Sequence, residues 1–535
     1  KQTIDGAYTA ALPVDAIGAV LALQPGVVSN PAGTVITIRG GRTDEAVTYV
    51  DGVPVTPGGR GGQFVGVPPG VVDVSTASLE QAAVTTGSSS AEFGNAQSGV
   101  IAIQTRAGGS RWSGNASFEN DDIGGLNHSL GFNRIQAGLG GPITNHLSFF
   151  LSGDLQGQKS APFGLDNQNY PVFVAAGVDT TVAVPSSTTP ADTTQVDVLK
   201  FAMYTGECDA FSQSSNPDIR SNYGFGCRGA RIPASAVSTY RGQAKLQYSY
   251  GTGSRLALTG LRSQTQTRIF NYGNLNNPQA LFGNYTGNNV VTLNWTQNLA
   301  KSADRALALE LYASYQWDRV ITSPLTTSGE AATRDPFGGF MIKPMDFQFD
   351  FSNFDITNLA SDFRTNTGRL TPFDLNKRDE YQLIDNYRNN AYAAQGGGLG
   401  AASAFSDGGG PASAVSRLSL YKEDRAVGKG NLDWQVDRYN RLKLGGEYTK
   451  YYMNSYSSLL TSQAFSDAYH ERPTRWNAFV EDRLDLGDVV LVGGLRYDWY
   501  KTGAARPYYI ADTLGNLGWY PRVSTMPGYD PANPT

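Results

Sequence analysis

From Trp112 onward, apolar and polar residues alternate along long segments of the chain. The clearest segment is 305–318, where the odd-numbered positions from Leu307 to Trp317 are apolar and the even-numbered positions include Glu310. Successive side chains of a β-strand point to opposite sides, so a period of two residues gives the strand one apolar and one polar face. We therefore predict that this part of the chain consists of half-apolar strands.

The same pattern predicts eleven such strands, and most of them exceed the usual strand length of about 5–6 residues. They span 112–120, 131–141, 147–158, 239–250, 254–266, 289–299, 305–318, 426–437, 441–453, 474–485 and 488–500. Aromatic residues cluster toward their ends. An apolar face bordered by aromatic residues, with a polar face opposite, is typical of a transmembrane antiparallel β-barrel. The strands of a soluble sandwich also alternate but are shorter.

The connections between these strands are short and long by turns. The short ones are 142–146, 251–254, 300–304, 438–440 and 486–487, and the long ones are 159–238, 267–288, 319–425, 454–473 and 501–535. Outer-membrane barrels have short periplasmic turns and long extracellular loops. The first strand is therefore expected to rise from the periplasm, and the chain to belong to the bacterial outer membrane.

An odd number of strands leaves two unpaired edges, which the hydrocarbon of a membrane does not tolerate. We therefore expect the sequence to contain only the N-terminal portion of a barrel. That portion is predicted over residues 107–535.

Residues 1–106 have a different character and predict a small mixed α/β domain. A short helix is expected over 14–23, because Pro25 and Gly26 end the apolar pattern there. The expected strands of this domain span 35–39, 46–50 and 100–104.

Composition narrows the functional classes. The 535 residues carry a net charge of −5, which argues against a nucleic-acid partner. Three scattered histidines provide no metal-ligand spacing, and the serines show no nucleophile elbow or Ser/His/Asp arrangement. We therefore expect no enzyme activity, no metal and no cofactor.

Five segments of the N-terminal domain resemble the plug domain of TonB-dependent outer-membrane receptors. They are Leu12-Pro13-Val14, Leu23-Gln24-Pro25-Gly26-Val27, Ile38-Arg39-Gly40-Gly41-Arg42, Tyr49-Val50-Asp51-Gly52-Val53-Pro54 and Ser90-Ala91-Glu92-Phe93-Gly94-Asn95-Ala96-Gln97-Ser98-Gly99-Val100. The last segment is most similar to the Oar-like subgroup. The resemblance implies a plug inside a 22-stranded barrel, about half of which is present here.

The resemblance also implies a mechanism and a partner. A bulky ligand binds from outside, and a TonB-type energy-transducing complex of the inner membrane opens the plug. Two plug arginines of the family often pair with barrel glutamates, and Arg39 matches the first of them. Strand parity directs Glu310, Glu447 and Glu481 into the lumen, which makes them candidate partners. Each of the three is equally interpreted as one more polar residue of the barrel wall.

Two further groups of residues are candidates. Arg60, in the glycine-rich stretch 58–62, together with Gln63 and Phe64, is a candidate for a ligand-facing plug loop; a plain connector is the alternative. Cys208 and Cys227 lie in one long outer loop, where an oxidising surface favours a disulfide over two reduced thiols.

We thus expect TonB-dependent transport of a bulky ligand in contact with outer-membrane lipid. A passive channel and a surface structural or adhesion protein are the alternatives. The sequence leaves open the identity of the ligand and whether it is imported or exported.

Overall fold

The structure of the protein is a computed structural model. The described residues are 2–9, 17–29, 36–42, 45–55, 74–86, 90–94, 96–121, 131–158, 172–185, 193–204, 236–269, 282–301, 305–324, 417–459, 466–503, 508–511 and 517–520.

The N-terminal domain contains seven short strands and two short helices in its described part. In chain order they are β1 (Gln2–Asp5), α1 (Gly6–Thr9), α2 (Ile17–Leu21), β2 (Val27–Ser29), β3 (Ile36–Ile38), β4 (Ala46–Val50), β5 (Val53–Pro54), β6 (Leu79–Thr86) and β7 (Gly99–Thr105), with a 3₁₀ turn at Thr76–Ser78 before β6. Five of the strands form a mixed sheet in the order β1-β6-β7-β4-β5, in which β4 and β7 run parallel. The strands β2 and β3 pair separately.

The predicted elements of this domain are present with small shifts. The strand predicted over 46–50 has those bounds as β4, and Asp51 and Gly52 connect it to β5 with positive φ angles of 47° and 87°. Two successive positive φ angles are what a tight hairpin turn needs, and Asp-Gly tolerates them better than most residue pairs. The predicted helix is seen as α2, and residues 10–16 before it lie outside the described part.

Most of the remaining strands are long, and those that pair are antiparallel. They are β8 (Ser113–Asn120), β9 (Asn133–Pro142), β10 (Leu147–Gln158), β11 (Val172–Pro185), β12 (Thr193–Tyr204), β13 (Val237–Tyr250), β14 (Ser254–Ile269), β15 (Phe282–Lys301), β16 (Ala306–Pro324), β17 (Arg417–Gln435), β18 (Asn440–Leu459), β19 (Ser466–Glu471), β20 (Thr474–Asp485), β21 (Val490–Lys501), β22 (Tyr508–Ala511) and β23 (Leu517–Tyr520).

Eleven of these strands form one antiparallel sheet, which we call the wall. Its order is β8-β9-β10-β13-β14-β15-β16-β17-β18-β20-β21, with β19 added beside the end of β18. The prediction of eleven antiparallel strands is therefore confirmed. Two separate hairpins, β11-β12 and β22-β23, lie in the regions predicted as long loops.

Several wall strands extend beyond their predicted ends. The strand predicted over 305–318 continues to Pro324, and its partner begins at Arg417 instead of residue 426. Their ladder still pairs Arg319 with Lys422. Backbone pairing thus continues past the apolar segment, because a hairpin ladder needs hydrogen bonds between strands and no apolar face.

The wall has an inner face that contacts the plug and an outer face that points away from it. Leu261 and Val290 of the inner face join the buried apolar core of the plug. Leu258, Leu293, Trp295 and Leu311 belong to the outer face and are exposed. In the described part of the chain, no helix combines the length and apolar character needed to cross a membrane.

Candidate functional site: the interface between plug and wall

Polar side chains of the inner face hold the plug at several separate points. The alternation of the wall strands presents these side chains toward the plug, and many of them are buried there. Because a buried charge is costly unless it is paired, each cluster identifies a place where plug and wall are matched.

The first contact point surrounds Asp154 of β10, which is fully buried. Its carboxylate accepts hydrogen bonds from Arg134 of β9 at 2.9 Å and from Arg241 of β13 at 3.4 Å. The hydroxyl of Ser75, just before the 3₁₀ turn of the plug, donates to the same carboxylate at 2.9 Å. Two arginines and one carboxylate of the wall thus form a charged seat for the 3₁₀ turn.

The second contact point connects the β4–β5 turn to β13. The ammonium group of Lys245 lies 3.2 Å from Oδ2 of Asp51 and donates to the carbonyl of Thr105 at 3.0 Å. Asp51 also accepts from the backbone N–H of Thr105 at 2.9 Å and from its hydroxyl at 2.6 Å. One wall lysine therefore fastens both the turn and the end of β7.

The third contact point surrounds Glu92, a nearly buried plug carboxylate. Lys429 of β17 donates to it at 2.7 Å, Asn431 donates at 2.9 Å, and Lys443 of β18 is in direct contact. Burial alone would raise the pKa of Glu92, but the two ammonium groups outweigh burial and lower the pKa to about 2. Glu92 is therefore ionised at neutral pH. We call Glu92, Lys429, Asn431 and Lys443 the Glu92 cluster.

Aromatic rings surround the ammonium group of Lys429 on its remaining sides. It lies 5.1 Å from the ring centre of Tyr49, 5.9 Å from that of Phe93 and 5.6 Å from that of Tyr312. A cation over an aromatic face is attracted by the negative face of the ring. The rings thus stabilise the charge of Lys429 and also restrict water access to its contact with Glu92.

The segment 90–94 of the plug is held by backbone contacts as well. The N–H of Ala91 donates to the carboxylate of Glu481 at 2.7 Å. Arg496 of β21 donates to the carbonyls of Ala91 and Glu92 at 3.2 and 2.7 Å. A Cβ at Gly94 would lie only 2.6 Å from this guanidinium group, so glycine permits the close approach.

A fourth contact point joins the end of β5 and the residue that follows it to the middle of the wall. Gln316 of β16 donates to the carbonyl of Pro54 at 2.9 Å, and Arg425 of β17 donates to the carbonyl of Val55 at 3.3 Å. Arg425 and Gln316 also contact each other directly.

The predicted lock residues occupy different places in this interface. Arg39 has a φ of 51° and an exposed side chain, and it forms no ion pair with another described residue. Glu310 accepts from the hydroxyl of Tyr312, and Glu447 accepts from Thr449. Glu481 alone of the three glutamates contacts the plug directly, through Ala91, among the described contacts. The pairing of Arg39 with a glutamate stays a prediction.

The other predicted site residues lie outside the described part of the chain. These are Arg60, Gln63, Phe64, Cys208 and Cys227. Among the described residues, no group of three or more His, Cys, Asp or Glu side chains is placed to hold a metal ion.

Sequence reasoning did not identify Glu92 or its lysine partners. Glu92 stands within the last of the five plug segments, and strand alternation places Lys429 and Asn431 on the same face of β17. Both features can be seen in the sequence. The sequence does not show that Glu92 and Lys429 meet, because residues more than 330 positions apart are brought together only by the packing of the plug against the wall.

Two family models match separate stretches of the chain. Residues 1–101 match the TonB-dependent receptor plug domain, and residues 294–535 match the TonB-dependent receptor-like β-barrel. The chain therefore carries the plug domain and part of the β-barrel domain of TonB-dependent receptors. The boundary at residue 106 stays a prediction, although β7 ends at Thr105 and β8 begins at Ser113.

Among solved structures, a copper transporter has a similar fold, and two other transport proteins superpose less well. The copper transporter OprC superposes with a TM-score of 0.51 at 12% identity, covering 97% of this chain and 57% of its own. A variant of the ferric enterobactin receptor PfeA from Pseudomonas aeruginosa gives 0.48 at 14% identity, covering 93% and 57%. The iron transporter FrpB from Neisseria meningitidis gives 0.48 at 13%, covering 93% and 58%. At 12% identity the likeness to OprC shows the fold alone.

The chain thus spans between half and two thirds of the length of these solved receptors. No curated protein is significantly similar to it in sequence.

Proposed function

We propose that the protein is an energised transporter that moves a bulky ligand across the outer membrane of a Gram-negative bacterium. In this proposal, the plug closes the barrel and a TonB-type complex of the inner membrane opens it. The observation that carries the proposal is the set of contact points between plug and wall, above all the Glu92 cluster.

The chemistry of these contacts suits a gate that must close firmly and still open. Charge-assisted hydrogen bonds are directional and are lost over short displacements, so a modest movement of the plug breaks them. Once broken, the charged groups are rehydrated if water enters the lumen. A wholly apolar interface would offer no such polar lining to the open passage.

The outer face of the wall supports contact with outer-membrane lipid. Its exposed leucines and aromatic residues form the apolar surface that a membrane-spanning sheet presents to hydrocarbon. We further propose membership of the Oar-like subgroup, on the strength of the segment from Ser90 to Val100.

The loop candidates and the cysteines complete the proposal. Arg60, Gln63 and Phe64 are proposed to face the ligand, and Cys208 and Cys227 to form a disulfide in an outer loop. The proposal specifies the ligand only as bulky, so ferric siderophores are the first probes, and copper serves as a small probe for comparison. The solved relatives PfeA and OprC are named for such ligands.

The test is accumulation of radiolabelled ferric siderophores and copper by cells that produce the full-length protein. We expect accumulation of at least one probe, and we expect its loss when the TonB gene is removed, with surface binding retained. Accumulation that persists without TonB would identify a passive channel. Surface binding with no accumulation in either strain would favour the adhesion alternative.

A further inference from the structure

The outer face of the wall contains a groove that follows β17. Three successive outward positions of this strand, Gly430, Gly428 and Ala426, have little or no side chain. At about 3.4 Å per residue they span roughly 14 Å. Large side chains of the neighbouring strands border this stretch: Leu293, Leu311, Tyr315, Tyr448 and Trp476.

The groove consists of two adjoining cavities. Their volumes are about 720 and 480 Å³, and they share Leu293, Ala313, Gly428 and Tyr448. The registers place Ala313 opposite Gly428 and Gly428 opposite Tyr448, so the floor crosses from β16 to β17 and ends against a ring of β18. A Cβ at Gly428 would meet no atom within 4 Å, which makes this position open space.

Cationic side chains stand at the end of the groove that lies away from the tight turns. Lys450 lines the second cavity and is paired in register with Ala426. Lys422 lies two outward positions further along β17, beside Arg319, and Arg319 contacts Asp424 at 2.9 Å. Within the described part of the chain, Lys422 and Lys450 form no ion pair. The groove therefore has an apolar floor and a positively charged end.

We propose that this groove binds one acyl chain of a phosphate-bearing membrane lipid, with the phosphate at Lys450 and Lys422. The apolar floor of the groove matches an acyl chain, and the cations at its end are complementary in charge to the phosphate of an anionic lipid. Within a membrane, packing and polar contacts decide such binding, because lipid tails are as apolar as the groove.

A second copy of the chain fits the groove less well. In a two-fold dimer each surface patch meets the same patch of its partner. With the axis along the membrane normal, the lysines at the end of the groove would face the same lysines of the other copy. The like charges would repel, whereas a lipid phosphate neutralises them.

The inference rests on the proposed placement of the wall in a membrane, and it does not depend on transport. Trp295 and Trp476 line the first cavity, so their fluorescence reports a bromine atom on a bound acyl chain. The full-length protein in detergent micelles is titrated with phosphatidic acid carrying a brominated chain, and separately with the matching phosphatidylcholine.

For the wild-type protein we expect a saturable component of quenching. The concentration of phosphatidic acid that saturates it should be at least fivefold lower than that of phosphatidylcholine. Gly428→Leu fills the groove and should remove this component for both lipids. Lys422→Gln combined with Lys450→Gln should keep the component and abolish the preference for phosphatidic acid. The matched control is Gly153→Leu, because a Cβ at Gly153 on the outer face of β10 also meets no atom within 4 Å.

Ala426→Leu provides a second way to fill the groove, and circular dichroism checks the fold of each variant. A saturable component that survives both filling variants would overturn the groove as a lipid site. The lipid site would also be overturned if the wild-type protein were a dimer, Gly428→Leu were a monomer, and lipid quenching were the same in both. If no quenching is seen at all, both the lipid site and the placement of the wall in a membrane are contradicted. If quenching is seen but does not saturate, only the lipid site in the groove is contradicted.

Discussion

Replacing Glu92 by glutamine should loosen the segment 90–94 of the plug. The substitution keeps the shape of the side chain but removes its charge, so the buried Lys429 and the partly buried Lys443 are left as two adjacent cations. The pKa of Glu92 is lowered from an ordinary 4.5 to about 2. At 1.36 kcal/mol per pKa unit, this difference corresponds to about 3 kcal/mol of stabilisation. Lys443 is 29% exposed, so water screening reduces the effect.

Amide hydrogen exchange measures the local opening of this segment directly. Since about 1.4 kcal/mol changes an equilibrium tenfold, we expect Glu92→Gln to accelerate exchange in peptides covering 90–94 by roughly 10- to 100-fold. Glu80→Gln is the matched control, because Glu80 is an exposed carboxylate of the same domain. Exchange in β4 should change little in either variant.

The pH dependence gives an independent check of the same reasoning. The pKa of Glu92 is lower in the folded state, so the stabilisation is fully present above about 4.5 and is lost as the pH falls toward about 2. After correction for intrinsic exchange rates, protection of the segment should therefore decline through this window in the wild type and not in Glu92→Gln. Equal exchange in Glu92→Gln and Glu80→Gln, or no decline in the wild type, would refute the role of the cluster.

Two other substitutions test other parts of the interface. Asp154→Asn should destabilise the contact point at the 3₁₀ turn by about 3–5 kcal/mol, because two buried arginines lose the carboxylate that they share. A lower urea midpoint for loss of plug protection checks this, and an unchanged midpoint would contradict it. Gly94→Ala should displace Arg496 from the plug carbonyls and lower the free energy of unfolding by about 1–2 kcal/mol in the same titration. Gly493→Ala is the control and should have no effect, because a Cβ there meets no atom within 4 Å.

Local patterns in the sequence account for much of the fold. The strand from Ala46 to Val50 and the turn at Asp51 follow from β-branched residues and a residue pair that accepts positive φ. The eleven wall strands follow from a period of two residues that persists over long segments. These signals are local, so each can be interpreted without knowledge of the rest of the chain.

The ends of the strands and the site were less predictable. The wall strand β16 continues past residue 318 because its backbone pairs with β17, and no apolar face marks that extension. Strand parity placed Glu481 on the inner face, but its acceptance of the Ala91 amide depends on where the plug rests. Arg39 was selected by resemblance alone; its side chain is exposed, and its backbone lies in the left-handed region.

The sequence by itself determined which side chains face inward and which face outward, because alternation along a strand is a property of the strand alone. Only the tertiary structure decided which inward groups meet. Glu92 contacts Lys429 across 337 residues because the register of eleven strands and the seating of the plug bring them together. The groove on the outer face has the same origin, since the register places Ala313 of β16 opposite Gly428 of β17 and so extends the floor across two strands.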